Sequence, residues 1–409
     1  MKNIISPNKL FAFTFAQVLI AYIFGMDGYA KTYLIKLSYM PLLLWLFAFI
    51  FFSLGDVCVR LLSEIFNGDI KNYKYLLKEK IELVNIRRLR IINLISTLGL
   101  FITSGLIIAH TGALPLLTII SQSKSISQIN QEQVNAMPGL FGMHMLIIYV
   151  LEYGIGILLL QLLFAKKRFV IEILALSIVA ILSGILDGKR QNLAMFICFF
   201  FMIIVNAKNT LPDKFKINYK IITITSSVVI LMFSLIYFMT YIRLDASGYS
   251  GEVFGEPLRY LSMPLINFES LYTNAGLLGS EFDLLAPFNY LLPAKFGVER
   301  GIDSFQLPEP SSPYGFFAMA YINWFGIFGV AYYSLILGVM SGWVYSKIDK
   351  SPFYLLLYCH MVWAIIMSHT YNHFLTITFM PLQVFAILLL YYLLSIRFSL
   401  AKLKISFLK

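Results

Sequence analysis

The sequence predicts an all-α polytopic membrane protein of about ten transmembrane helices, with one large extracytoplasmic loop carrying short amphipathic helices. Three observations carry this. Hydrophobic residues make up 59% of the chain and charged residues only 13%, whereas soluble chains are about a quarter charged. The mean hydropathy is +0.78. The apolar residues gather in runs of about twenty rather than in the alternation of an outer-membrane strand, and a bilayer then leaves the helix as the backbone's way to satisfy its own hydrogen bonds.

Lys2 and Lys9 precede the first apolar run, Leu10 to Phe24, and no A-x-A-like site follows it. That run is expected to stay as the first span rather than be cleaved as a signal peptide. The second span is Ser38 to Val59, with Asp56 and Arg60 four apart at its inner end, the spacing of a local ion pair. A basic segment follows over 60–90. Its Lys71, Lys74, Lys78, Glu79 and Glu82 alternate at helical spacing and predict a surface helix on the inner leaflet, read as a lipid-facing anchor or a partner-binding face. The remaining spans are Ile91 to His110, Pro138 to Phe164, Phe169 to Leu186, Asn192 to Val205, Ile221 to Tyr241, Phe316 to Tyr345, Pro352 to Ser368 and Thr376 to Ile396.

With the N-terminus inside, most Lys and Arg of the connecting segments fall on the cytoplasmic side, Lys166, Lys167 and Arg168 among them, and both termini are cytoplasmic. The net charge of +11 is therefore read as topological anchoring rather than as a nucleic-acid surface. Cys58, Cys198 and Cys359 lie in or beside apolar runs without motif spacing and read as packing residues. No internal repeat stands out, and the chain reads as one membrane domain.

This topology puts the 111–137 loop, the 187–191 turn, the long 242–315 loop and the 368–375 turn on the outer side, where they can share a vestibule. The stretch from Tyr241 to Tyr314 holds nine of the 21 acidic residues, together with Arg243, Arg259, Lys295, Arg300 and a run of aromatic rings. A structural tether would need none of that. Mixed charge with rings suits an anionic headgroup carrying sugars, because rings stack on sugar faces while Arg and Lys pair with phosphate. Within it, Pro257, Leu258, Leu261, Leu265, Phe268 and Leu271 have helical spacing, which predicts an amphipathic helix on the outer leaflet bent at Pro264, with Gly276 and Gly279 as stops. Pro287, Pro293, Pro308, Pro310 and Pro313 predict an extended path beyond it, laid like a lid over the cavity mouth.

Between the fifth and sixth spans, Gly184 and Gly188 flank Asp187 and supply the freedom of a tight hairpin, after which Lys189 and Arg190 stand together against the charge bias. They read either as cations snorkelling to outer headgroups or as a phosphate site at a helix N-terminus. Arg243 and Arg259 extend the basic character, or pair with Asp245, Glu252 or Glu256. His369 and His373 share a face if the ninth helix continues; with no third ligand and no H-E-x-x-H pattern, proton transfer or hydroxyl orientation suits them better than a metal, and interfacial polarity is the plainer alternative. Glu152, near the middle of span four, must face the interior, either paired with a Tyr or His such as His144 or His360 or acting in catalysis.

The Gly188-Lys189-Arg190 turn before an apolar helix, the large outer loop, and the run from Ser312 through Tyr314-Gly315-Phe316 to Asn323-Trp324-Phe325-Gly326 and Gly329 together resemble bacterial oligosaccharide repeat-unit polymerases, the Wzy-type enzymes of O-antigen and capsule assembly. The resemblance implies a GT-C-like, metal-independent glycosyltransferase without a cofactor, similar in architecture to O-antigen ligases. It would act on undecaprenyl-pyrophosphate-linked oligosaccharides at the outer face of the bacterial cytoplasmic membrane, with inversion at the transferred anomeric centre, alongside a flippase and a chain-length regulator. It also implies outward-facing functional arginines, carried over to Arg190 and then to Arg243 and Arg259, and an outer-face histidine at the position of His369 or His373. Chemistry points the same way. A departing pyrophosphate needs fixed positive charge, which Arg190 and Lys189 supply; the acceptor hydroxyl needs a base, Glu252 or a histidine; and Tyr249, Tyr260, Tyr272 and Tyr314 can hold sugar rings. A ligase is the nearest rival. A transporter of lipid-linked sugars would need a polar route across the bilayer, and the spans offer few charges beyond Asp56, Glu152 and Glu172.

Overall fold

The computed structural model describes residues 6–32, 38–67, 73–111, 138–165, 169–186, 190–210, 264–266, 268–269, 272–273, 321, 326–368 and 380–395. Among these residues the chain is helical and contains no strand. In chain order the helices are α1 (Pro7–Thr32), α2 (Met40–Asn67), α3 (Tyr73–Glu82), α4 (Ile86–Thr111), α5 (Pro138–Ala165), α6 (Val170–Leu186), α7 (Arg190–Thr210), α8 (Ile327–Ser346), α9 (Pro352–Ile366) and α10 (Met380–Ser395). Four of them contain runs long and apolar enough to cross a membrane: Met40–Ser63, Ile86–Ala109, Gly142–Phe164 and Ile327–Ser346. Val170–Ser183, Leu193–Asn206, Pro352–Ile366 and Met380–Ser395 are apolar and shorter. The expected span 221–241 lies outside the described residues, as do the prolines expected to form a lid.

Two helix starts show how local sequence sets the boundaries. Gly326 has φ 59 and ψ −117, a conformation that residues with a Cβ avoid, and its N–H donates to the Tyr321 carbonyl. The helix expected to run on from Phe316 is therefore broken there, and α8 begins at Ile327. Ser351 caps α9 by accepting the Phe353 N–H, with Pro352 in the first helical position where its missing donor costs nothing.

α5 is the central helix. Its apolar run is 83% buried, against 28% for α4, which presents Leu94, Ile95, Leu98, Phe101 and Ile102 outward as a lipid-facing side. α4 runs antiparallel to α5, with Asn93 against Gly154, Gly99 against Ile147, and Thr103 Oγ1 2.7 Å from His144 Nδ1. α9 also runs antiparallel to α5, with Glu152 opposite His360 and Gly156 against Leu356. α2 and α8, by contrast, run parallel along a glycine seam. A Cβ at Gly338 would strike the Phe52 carbonyl oxygen, one at Gly342 would come within 2.9 Å of Asp56 Oδ1, and one at Gly55 would strike the Leu335 carbonyl. Small residues here let two backbones touch, which in a membrane replaces the missing hydrophobic drive. α1 lies antiparallel to α2, with the Phe11 ring stacked on Phe52 at 4.2 Å.

These pairings sort the helix termini into two ends. At one end stand Asp56 and its expected partner Arg60, 2.8 Å apart, with α3, the start of α4, the end of α5 and the α8–α9 turn. The cations cluster here: Arg60, Lys78, Lys80, Arg87, Arg88, Arg90, Lys347 and Lys350. The expected basic surface segment over 60–90 is shared among three helices: it begins in the end of α2, contains α3 and closes in the start of α4. Leu77 and Ile81 of α3 are buried, and the Gln161 side-chain amide donates to the Ile81 carbonyl, so α3 docks on the end of α5.

Candidate functional site

Among the described residues the other end holds fewer cations, Lys31 near the end of α1 and Arg190. It gathers the end of α4, the start of α5, the end of α6 and the start of α7, and Arg190 is the first residue of α7. Of the residues expected to act on substrate, Arg190 and Tyr272 fall among those described; Lys189, Arg243, Tyr249, Glu252, Arg259, Tyr260, Tyr314, His369 and His373 lie outside them. Arg190 has helical backbone at an N-terminus, where four N–H groups lack intrahelical partners and the helix dipole favours an anion.

The depth of Arg190 follows from the packing of α7 on α9. Phe199 and His360 have ring centroids 4.0 Å apart. Arg190 precedes Phe199 by nine residues and Ser368 follows His360 by eight, so at about 1.5 Å per residue the start of α7 and the end of α9 reach about the same depth. α9 is short, 15 residues, and ends inside the bundle. Thr14 Oγ1 donates to the Ile365 carbonyl at 3.0 Å, two turns from the start of α1, and Ser368 is buried with its hydroxyl bonded to the Ile365 carbonyl. The helix ends at Ile366, and His369 and His373, expected to share a face if it continued, lie outside the described residues.

The long loop docks here too. The described residues of its 264–273 stretch are helical, and Thr273 Oγ1 bonds the Glu269 carbonyl four residues back. Leu265, Ile266 and Phe268 are buried in the common core, with the Phe268 ring edge-on to Tyr321 at 5.2 Å, so this stretch packs into the protein where a leaflet position was expected. Tyr272 is half-buried against the same core. Glu269, to which the sequence assigned no role of its own, has a structural one. Its Oε2 accepts the Ser38 N–H at 3.1 Å and the Ser38 hydroxyl at 2.7 Å, while Ser38 Oγ accepts the Met40 N–H. A loop carboxylate thus ties the loop to the start of α2, where the helix dipole also favours it. At least one of the nine acids is a structural tether.

The interior holds a second polar cluster. Glu152 Oε2 and His360 Nε2 are 3.5 Å apart, with side chains 2% and 0% exposed. Of the two histidines named as partners for Glu152, His360 is the one that meets it; His144 is engaged by Thr103 on α4. Among the described residues no group of three or more His, Cys, Asp or Glu is arranged to hold a metal ion. Comparison of the chain with protein-family models, with curated proteins and with solved structures gives no match. The class that the described residues define is a helical protein with four helices long and apolar enough to cross a membrane.

Proposed function

We propose that this protein polymerises undecaprenyl-pyrophosphate-linked oligosaccharide units at the outer face of a bacterial cytoplasmic membrane. The reading counts ten spans in a GT-C-like arrangement, with 221–241 crossing between α7 and the long loop. The positive-inside rule then assigns the end bearing Arg87, Arg88 and Arg90 to the cytoplasm, with both termini, and turns the Arg190 end outward. The observation that carries the reading is the position of Arg190: an arginine opening a helix at the end with fewer described cations, level with the buried end of α9.

In the reaction the anomeric carbon–oxygen bond of the donor breaks, the growing glycan passes to a hydroxyl of the incoming unit, and the lipid diphosphate leaves. Arg190 and Lys189, with the unpaired N–H groups of the first turn of α7, stabilise the charge that develops on the diphosphate. Arg243 and Arg259 hold its remaining oxygens. The proton of the acceptor hydroxyl goes to Glu252 or to His369 or His373. Tyr272, with Tyr249, Tyr260 and Tyr314, stacks the sugar rings. A chain-length regulator and a flippase are the natural partners in the membrane.

The test is Arg190→Ala in cells that display the glycan. The expected result is glycan of a single repeat unit with the protein still inserted and folded; glycan of normal length would refute the assignment. A ligase would instead leave no glycan on the final acceptor. Transport is the second reading, favoured by the buried Glu152–His360 pair, and its loss would leave no lipid-linked units at the outer face.

A further inference from the structure

The Glu152–His360 pair sits between α5, α7 and α9, near the middle of the apolar run of α5, and nothing in the polymerase chemistry uses it. We propose that it is an intramembrane proton-binding site, in which Glu152 as a carboxylic acid faces a neutral His360 imidazole and exchanges its proton with the aqueous phase. The inference goes beyond the polymerase reading and stands whether or not that reading holds.

The surroundings are apolar and close. The Phe199 ring lies against the imidazole with centroids 4.0 Å apart, and the Tyr153 and Tyr149 rings meet it edge-on at 4.8 and 6.1 Å. One turn along α5, a Cβ on Gly156 would lie 2.7 Å from Leu356 of α9 and 3.0 Å from Phe199, so the three helices are in contact just below the pair. Facing titratable groups are Tyr149 and Tyr153 on α5 and Cys359 on α9; α7 faces the pair with Phe199 and contributes the neutral Asn206, whose amide reaches Cys359 Sγ. No described Lys or Arg forms an ion pair with Glu152.

The contact does not suit a fixed ion pair. At 3.5 Å it falls outside the geometry of a charge-assisted bond, and His360 Nδ1 and Nε2 and Glu152 Oε2 are buried without a hydrogen-bond partner. Two opposite charges held this loosely in an apolar interior lose more hydration than their attraction returns. The neutral pair has no such cost, and losing the proton would leave a lone carboxylate among the apolar side chains where α5 meets α9. A membrane-buried acid with a histidine beside it is the usual composition of a proton relay.

Infrared difference spectra of the purified full-length chain in lipid nanodiscs test this. The wild type should show a carboxylic-acid C=O band near neutral pH that shifts in D2O, falls reversibly as pH rises, and is lost in Glu152→Gln. His360→Gln should keep the band and displace its midpoint. If Glu152→Gln fails to fold, the nitrogen spectrum of ring-labelled His360 in the wild type decides: neutral imidazole near neutral pH is expected. An imidazolium signal there, absence of the acid band, or an acid band that neither exchanges nor titrates would each overturn the proposal. Glycan length in Arg190→Ala is read separately, so the two readings fail independently.

Discussion

At the cation-rich end, side chains reach from helix to helix: Lys80 Nζ donates to the Lys350 carbonyl at 2.7 Å, Arg88 reaches the Leu394 carbonyl, Arg90 grips Glu172 with Nε and Nη2 at 3.0 Å, and the Lys347 ammonium lies 3.7 Å over the Trp343 ring. At the opposite end the described ties run through neutral groups and a carboxylate: Thr103 meets His144, Gln383 reaches Met195, and the loop's Glu269 holds Ser38. Among the described residues, basic side chains are plentiful at the end where they fasten helices and fewer at the other, where Lys31 and Arg190 stand. Burial against Trp343, with Lys350 nearby, also lowers the pKa of Lys347, the mark of a cation drawn onto the bundle. On the proposed reading, Arg190, which opens a helix at the other end, is the cation there that meets the lipid diphosphate.

The comparison breaks most severely at the seam that supports both ends. Gly338→Leu would drive a side chain into the Phe52 carbonyl of α2 and should cost about 3 kcal/mol or more, read as loss of monodisperse protein in detergent. Gly105→Leu, with nothing within 4 Å of the added carbon, should leave the elution profile unchanged. Next, Arg190→Ala should lower chain extension by about a hundredfold, the scale of losing one fixed donor to a developing oxyanion. Arg87→Ala, an exposed cation of the tied end, should leave extension alone. Equal losses in the two variants would erase the distinction between the ends.

Smaller effects sharpen the picture. Ser38→Ala removes the hydroxyl that donates to the buried Glu269 carboxylate and should lower thermal stability by about 1.5–3 kcal/mol, the range for a hydrogen bond to a charged group. The Arg90–Glu172 pair is partly exposed, at 55% and 24%, and a double-mutant cycle with Arg90→Gln and Glu172→Gln should return about 0.2–1 kcal/mol of coupling. A coupling several times larger would show that this end is held by charge rather than by packing.

Much of the scaffold was legible because hydropathy and local spacing are properties of adjacent residues. Asp56 and Arg60 paired as their four-residue spacing requires, and the described helices overlie the apolar runs where the two can be compared. Gly326 was within a quoted motif, but its sign of φ is not written in an apolar run, so the start of α8 was placed too early. Pairings between distant elements were harder. For Glu152 two histidines were open, and register against α9, which no local pattern encodes, selected His360. Glu269 looked like one more loop acid because its partner, Ser38, lies at the far end of the chain. The parallel glycine seam of α2 and α8 was missed, although Gly338 and Gly342, four apart in an apolar run, carry the signal of a close helix contact.

The most direct measurement is the sidedness of the two ends in intact cells. With Cys58, Cys198 and Cys359 replaced, single cysteines at Gly188→Cys, two residues before α7, and Glu79→Cys, on the exposed side of α3, are probed with a membrane-impermeant maleimide. The account predicts labelling at 188 before lysis and at 79 only after it. Labelling at 79 in intact cells with 188 protected would place Arg190 in the cytosol, away from any diphosphate lipid on the outer face, and contradict it.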